Sequence, residues 1–262
     1  AGAADEPAHG ELDRLAARYP DAPRPWLDLA TGCSPWPYPL AIPSEAWTRP
    51  PQGRDREAAR AAVAIYLAVD SRDNIALVPG VEAAIAHLPH LLAPTRVAVL
   101  TPIYDSHAPA WRAAGHDVQE MTAEAVEVSE APIVVLANPN DRHGGVIQPE
   151  VLRDLAARCH ARGGLLVVDE AFCDLMPEIS ISGDAPSGTT VVLRSLGKGF
   201  GLVGVRAGAM IAPAAITHAM RVRLGPWAIS GIALAAMASA YGDPSWMADM
   251  RARLDAAARE LD

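Results

Sequence analysis

Short, wholly apolar segments alternate with helix-like segments along most of the chain, and this alternation limits the possible folds. The pattern begins near Arg54 and predicts helices over roughly 54–69, 81–92, 106–115 and 149–162. The apolar segments are IALV (75–78), RVAVL (96–100), APIVVLA (131–137), GLLVVDE (164–170), TVVLR (190–194) and AGAMIA (207–212). Continuous apolar runs are typical of strands that are buried on both faces. The sequence therefore predicts an α/β fold, a three-layer αβα sandwich around a mostly parallel sheet.

Charge and cysteine usage exclude several classes of partner. The formal net charge of -9 argues against nucleic acid or an anionic membrane as the main partner. The three cysteines, Cys33, Cys159 and Cys173, are odd in number, far apart and without metal-ligand spacing. They predict no disulfide framework, no metal site and a reducing, cytoplasmic setting. The most apolar long stretch, 229–241, is too short to span a bilayer and is predicted to be a buried helix.

Lys198 is the only lysine in the chain, and all other Lys/Arg positions are arginine. An imine requires a primary amine, which a permanently protonated guanidinium cannot provide. The alternative is an arginine-biased composition in which one lysine remains by chance. Lys198 follows the predicted strand 190–194, and ligands bind beyond the carboxyl ends of strands in open sheets of this kind. Its position therefore favours a functional lysine.

The region around this lysine has an unusual charge distribution. No Asp or Glu occurs between residues 185 and 242. Four arginines accompany the lysine there, namely Arg194, Arg206, Arg221 and Arg223. This asymmetry predicts an anion-binding region. The segment GFGLVG (199–204) matches a dinucleotide-binding pattern, but a strand-like run follows it and the expected acid is missing, so we reject a nucleotide site.

Ser195, Lys198 and Arg206 together resemble the lysine motif of the aspartate-aminotransferase-like, fold-type I enzymes that use pyridoxal 5'-phosphate (PLP). The resemblance implies that Lys198 holds PLP as a Schiff base and that Ser195 and Arg206 bind its phosphate. It also implies that Asp169 faces the pyridine nitrogen and keeps it protonated, so that the ring accepts electrons. Two alternatives remain: Asp169 caps the next helix, or Glu170 is the functional acid.

The segment ANPNDRHGG (137–145) is similar to the NPNNPTG loop of these enzymes, whose asparagine contacts the ring oxygen of the cofactor. An alignment without gaps places Asp141 at the contacting position, with Asn140 beside it. We favour Asn140, because an amide can donate to a phenolate oxygen and an ionised carboxylate cannot. Phe172 stands where many relatives carry a tyrosine that bonds the same oxygen, so that bond is expected to be absent.

Two further strand ends match the family. VPGVEAAI (78–85) is predicted to offer the backbone N–H groups of Gly80, Val81 and Glu82 to the cofactor phosphate. TPIY (101–104) would supply Tyr104 to stack on the pyridine ring. The alternatives are an ordinary turn at Gly80 and a core tyrosine at position 104.

Several segments narrow the resemblance to the threonine-phosphate decarboxylases of cobalamin biosynthesis. They are His9-Gly10, WLDLATGCSPWPYP (26–39), TPIYDSHAPAWRAAGH (101–116), DEAFCD (169–174) and LGPWAISG (224–231). The resemblance implies decarboxylation of L-threonine O-3-phosphate to (R)-1-amino-2-propanol O-2-phosphate. It implies that His9 and Gly10 close over the substrate phosphate and that Ser34 contacts the substrate, although Cys33-Ser34 replaces the usual Ile-Asn. The alternatives are a histidinol-phosphate-type aminotransferase and a non-catalytic PLP-binding regulator.

The family also suggests how the chain is organised. We expect an N-terminal arm and irregular segment over 1–53, a large PLP-binding domain over 54–225, and the start of an incomplete small domain over 226–262. In the family, the C-terminal small domain supplies the arginine that holds the substrate carboxylate. The expected assembly is a homodimer, with a small phosphorylated amino acid as the substrate.

Overall fold

A computed structural model describes residues 12–26 and 29–261 and is built around one central sheet. Over those residues the sheet has seven strands: β1 (Ile75–Val78), β2 (Arg96–Leu100), β3 (Asp117–Met121), β4 (Ile133–Ala137), β5 (Leu165–Asp169), β6 (Thr190–Ser195) and β7 (Gly208–Ile211). Their order is β1-β7-β6-β5-β4-β2-β3. β7 runs antiparallel to both of its neighbours, and the other pairs are parallel. The predicted, mostly parallel sheet is therefore confirmed.

The described residues also form ten α-helices. They are α1 (Leu12–Arg18), α2 (Glu45–Thr48), α3 (Gly53–Tyr66), α4 (Val81–His87), α5 (His107–Ala113), α6 (Ala123–Glu127), α7 (Pro149–Ala161), α8 (Ala214–Leu224), α9 (Gly231–Tyr241) and α10 (Pro244–Arg259). None of them is long and apolar enough to cross a membrane. α9 packs against α3, and the domain boundaries after residues 53 and 225 stay a prediction.

Alternating strand residues build two apolar cores, one on each face of the sheet, because successive side chains of a strand point to opposite faces. In β5, Leu166 and Val168 pack with residues of α3, α7 and α9. Their neighbours Leu165 and Val167 pack with residues of α4, α5 and α8. The three-layer αβα sandwich predicted from the sequence is thus confirmed.

The strand β3 was not predicted. Its sequence, DVQEM, contains few apolar residues, and the strand lies at the edge of the sheet with most of its side chains partly or fully exposed. An edge strand pairs on one side only and does not need the continuous apolar run of a central strand. Apolar patterning therefore identified the six largely buried strands, including β1 at the other edge, and missed this exposed one.

A buried ionic cluster lies beneath the carboxyl ends of β5 and β6. The side chain of Arg194 is only 2% exposed; its Nη1 donates to Glu170 Oε2 at 2.9 Å and its Nη2 donates to Asp174. Glu170 accepts further hydrogen bonds from the hydroxyl groups of Ser180 and Ser182. The carboxylate of Glu170 is therefore paired inside the protein, which excludes Glu170 as the acid that faces the pyridine nitrogen.

This cluster corrects part of the predicted anion-binding region. Arg194 neutralises carboxylates of the protein itself and cannot reach a ligand. Arg221 donates to the backbone carbonyl groups of Asp73 and Ile75, and Arg223 donates to a ring nitrogen of His87. Three of the four arginines between residues 185 and 242 are thus paired with groups of the protein itself.

Removal of the buried arginine tests the role of the cluster. We expect Arg194→Met to lower the free energy of unfolding by about 3–5 kcal/mol, because it leaves buried carboxyl groups without their cation. Urea denaturation measures this loss. Arg259→Met is the matched control, since its exposed pair with Asp255 lies one helical turn away, and it should change stability little. Equal, small losses in both variants would contradict this role.

Candidate active site

The loops beyond the carboxyl ends of the parallel strands enclose a cavity of about 430 Å³. This is the edge at which the topology places ligands. Nine of the predicted cofactor-site residues line it: Gly80, Val81, Glu82, Tyr104, Asp141, Asp169, Ser195, Lys198 and Arg206. The cavity thus gathers residues from segments that are far apart in the sequence.

One corner of the cavity is suited to bind a phosphate group. Ser195 ends β6 and pairs with Gly208 of β7, which pairs in turn with Val78 of β1. Gly80 follows β1 with a φ of 82°, and a Cβ there would lie 2.9 Å from Nη2 of Arg206. The N–H of Gly80 donates to the carbonyl oxygen of Val78 at 2.8 Å and is therefore already paired, contrary to its predicted contact with the phosphate. The corner thus combines a hydroxyl group, a guanidinium group and the N–H groups of Val81 and Glu82 at the start of α4. A side chain at this position would be strained at the positive φ and would push the guanidinium group aside.

Lys198 is held by its backbone, which leaves its side chain in the cavity. The backbone N–H groups of Ser34 and Gly201 both donate to the carbonyl oxygen of Lys198, each at 3.0 Å. The Nζ atom lies 4.9 Å from the ring centroid of Phe172. The irregular N-terminal segment thus helps to position the lysine, as its predicted contribution to the active site requires.

Asp169 ends β5, and its carboxylate is nearly buried between two donors. Oδ2 lies 3.0 Å from Nε2 of the buried His107, and Oδ1 accepts from the backbone N–H of Ala171 at 3.0 Å. The second contact is a local turn contact, whereas the first joins β5 to α5. His107 was missed by sequence analysis, because a single histidine at the start of a helix carries no local sign of a partner 62 residues away.

The structure does not bring Asn140 to the cavity. Its Nδ2 donates to the carbonyl oxygen of Pro102, and its Oδ1 accepts from the backbone N–H of Arg142, both at 2.9 Å. The amide is thus used to close the 137–145 loop and to fasten it to the β2–α5 loop. Asp141, which the ungapped alignment had placed at the contact, lines the cavity instead. The preference for Asn140 over Asp141 is corrected accordingly.

The remaining predicted site residues are Tyr104, Ser34, His9 and Gly10. Tyr104 lines the cavity, and burial together with the neighbouring Glu82 carboxylate raises its pKa. Ser34 Oγ donates to the carbonyl oxygen of Trp36 at 3.1 Å and contacts Sδ of Met250, and its neighbour Cys33 lines the cavity. His9 and Gly10 lie outside the described residues.

The model for the family "Aminotransferase class I and II" matches residues 46–262. The chain belongs to this family, whose members depend on PLP. Within the family it belongs with the threonine-phosphate decarboxylases. It is 40% identical to one from Pseudomonas aeruginosa over 258 residues, which cover 97% of this chain and 76% of that protein. It is also 40% identical to one from Sinorhizobium sp., with 95% and 77% covered.

Solved structures support the same fold. The histidinol-phosphate aminotransferase from Sinorhizobium meliloti in complex with PLP has a TM-score of 0.73 and 22% identity, covering 88% of this chain and 68% of that one. The L-threonine-O-3-phosphate decarboxylase from Porphyromonas gingivalis has a TM-score of 0.69 and 20% identity, covering 78% and 66%. The fold-type I architecture predicted from the sequence is confirmed.

The residues of the cavity fit PLP. The corner at Gly80 is shaped by the guanidinium group of Arg206, as an anion site requires. The only primary amine among the side chains, that of Lys198, and the carboxylate of Asp169 line the same cavity. The cavity therefore offers an anion site for the cofactor phosphate, an amine for its aldehyde and a carboxylate for its ring nitrogen.

Substitution of Gly80 tests the phosphate corner. We expect Gly80→Ala to weaken PLP binding by about tenfold or more, ~1.4 kcal/mol, because the new Cβ displaces the guanidinium group of Arg206. Titration of the apoprotein with PLP, followed by absorbance, measures the affinity.

Gly163→Ala is the matched control for this substitution. Gly163 has a φ of 70° and no atom within 4 Å of the added Cβ. It therefore shares the backbone strain at positive φ and lacks the clash. If both variants bind PLP as tightly as the unaltered chain, the corner does not hold the phosphate group.

Proposed function

We propose that this chain decarboxylates L-threonine O-3-phosphate to (R)-1-amino-2-propanol O-2-phosphate, a step of cobalamin biosynthesis. The observation that carries the proposal is the 40% identity to threonine-phosphate decarboxylases over 97% of the chain. The cavity supports it, because it gathers Lys198, Asp169 and the phosphate corner in one place. PLP, when bound, supplies a ring that accepts the electron pair released at Cα of the substrate.

Asp169 is placed to hold a proton at the ring nitrogen, since a carboxylate there stabilises the protonated form. His107 supports this role: its Nε2–H donates to Asp169 Oδ2 and orients the carboxylate from α5. Lys198 is the proposed acid that returns a proton to Cα after carbon dioxide leaves. Asp169 ends the buried strand β5, and Lys198 follows the buried strand β6, so the two strands bring both residues to the cavity.

The remaining cofactor contacts are assigned to residues of the phosphate corner and to other residues that line the cavity. Ser195, Arg206 and the N–H groups of Val81 and Glu82 are proposed to bind the cofactor phosphate, and Tyr104 to stack on the ring. Asp141, which the ungapped alignment places at the ring-oxygen contact, is the candidate of the 137–145 loop that lines the cavity. The predicted substrate contacts of His9, Gly10 and Ser34 stay part of this proposal.

The nearer alternative is a histidinol-phosphate-type aminotransferase, because the same residues can serve both reactions. A decarboxylase must orient the Cα–carboxylate bond perpendicular to the ring, whereas an aminotransferase orients the Cα–H bond. Relatives named histidinol-phosphate aminotransferase match less of the chain, for example 31% identity over 56% of it. This difference in coverage favours decarboxylation over transamination. Both kinds of relative are named as enzymes, which favours an enzyme over a PLP-binding regulator.

We further propose a cytoplasmic homodimer. The side chains of Trp47 and Trp227 are largely exposed, and exposed aromatic side chains are enriched at protein interfaces. A second copy of the chain would cover these side chains. The cytoplasmic setting is proposed from the number and spacing of the three cysteines.

Release of carbon dioxide tests the proposed reaction. We expect the PLP-loaded chain to release carbon dioxide from O-phospho-L-threonine, and to form no glutamate from histidinol phosphate and 2-oxoglutarate. Asp169→Asn should lower kcat/KM by at least about a hundredfold, ~2.7 kcal/mol, because a neutral amide cannot stabilise a protonated ring nitrogen as the carboxylate does.

Asp184→Asn serves as the control, since Asp184 lies on the surface and pairs with Arg153; it should behave like the unaltered chain. Formation of glutamate without carbon dioxide would identify an aminotransferase. Full activity of Asp169→Asn would remove Asp169 from the mechanism.

A further inference from the structure

Three cationic side chains among the described residues line the cavity: Arg142, Lys198 and Arg206. Arg206 belongs to the corner assigned to the cofactor phosphate, and Lys198 is the amine that binds the cofactor. Arg142 has no part in either group. Its position at the cavity wall therefore makes it available to a different anionic ligand.

The loop that carries Arg142 is closed and anchored. The N–H of Asn140 donates to the carbonyl oxygen of Gly145, and the N–H of Gly144 donates to that of Asn140, both at 2.9 Å. The amide of Asn140 fastens this loop to Pro102 and accepts from the backbone N–H of Arg142. These hydrogen bonds thus hold the backbone of Arg142 in place at the cavity wall.

The guanidinium group of Arg142 is accessible and only weakly paired. Its side chain is 34% exposed, and Nη2 lies 3.9 Å from Oδ2 of Asp105, a carboxylate whose side chain is 66% exposed. An exposed pair at this distance contributes little. A guanidinium group can bind two oxygens of a carboxylate or a phosphate at once, so an oxyanion in the cavity would compete well with Asp105.

The proposed substrate carries two anionic groups, and Arg142 can pair with either of them alongside the contacts expected of His9, Gly10 and the C-terminal small domain. An amino-acid phosphate carries a carboxylate and a phosphate group, the latter with about -1.5 to -2 charges near pH 7. Transfer of these anions from water into a cavity is costly unless each is paired. The acids Glu82, Asp141 and Asp169 also line the cavity and would repel an unpaired anion.

We propose that Arg142 is a substrate-binding residue whose guanidinium group receives an oxyanion of the amino-acid phosphate, either its carboxylate or its phosphate. The inference rests on the proposed function and adds a specificity-determining residue to it. Arg142 acts on the substrate and leaves the cofactor unaffected.

Ligand binding by Arg142→Gln and Arg142→Lys, followed by the change in cofactor absorbance, tests this assignment. We expect Arg142→Gln to weaken the binding of O-phospho-L-threonine by about tenfold, ~1.4 kcal/mol, and to raise KM more than it lowers kcat. Arg142→Lys should recover part of the affinity. Arg112→Gln is the charge-matched control, because Arg112 pairs with Glu120 on the surface of α5.

Two partial ligands distinguish the sources of the oxyanion. L-threonine carries only the carboxylate, and 1-amino-2-propanol O-2-phosphate carries only the phosphate. The ligand whose binding weakens in Arg142→Gln identifies the group that Arg142 receives. An equal loss for both assigns the residue to both anions.

Three results would overturn the inference. If Arg142→Gln binds O-phospho-L-threonine as tightly as Arg112→Gln, while the unaltered chain still releases carbon dioxide, the inference fails and the proposed function stands. If Arg142→Gln loses the cofactor absorbance, Arg142 serves the cofactor. If the unaltered chain holds PLP but neither binds nor decarboxylates O-phospho-L-threonine, the proposed function fails first and the inference with it.

Discussion

The parallel pairing of β5 with β6 determines where every other part of the site lies. Asp169 is in register with Leu193, so the chain continues through Arg194 and Ser195 into the lysine loop directly beside it. Arg194 is buried against Glu170 and Asp174. These ion pairs link the end of β6 to the segment that follows β5. The carboxylate and the amine therefore face one cavity because two adjacent strands end at the same edge and are held there by an internal ion cluster.

The antiparallel strand β7 completes the site. Because β7 pairs with β6 on one side and with β1 on the other, the chain that leaves Lys198 returns along the sheet next to Gly80. Arg206 lies at that return, with its guanidinium group against the glycine. A single reversed strand thus explains why a lysine, an arginine and a glycine turn from distant parts of the sequence form one anion-binding corner.

The sequence identified features that depend on local pattern and missed those that depend on distant partners. Apolar runs predicted the central strands, and the single lysine pointed to the cavity, whereas the polar edge strand β3 was missed. Arg194 was assigned to ligand binding because neither its burial nor its partners can be read from its neighbours in the chain. Asn140 was favoured on hydrogen-bonding chemistry alone, yet its amide is already bonded to Pro102. His107 is visible only once α5 and β5 are packed together.

The most direct test of the account is borohydride reduction of the PLP-loaded chain, followed by mass spectrometry of its peptides. The account predicts one reduced pyridoxyl phosphate group on the peptide that contains Lys198, together with a visible absorbance band that is lost on reduction and is absent from Lys198→Ala. A label on any other residue, or an unchanged visible band in Lys198→Ala, would contradict it.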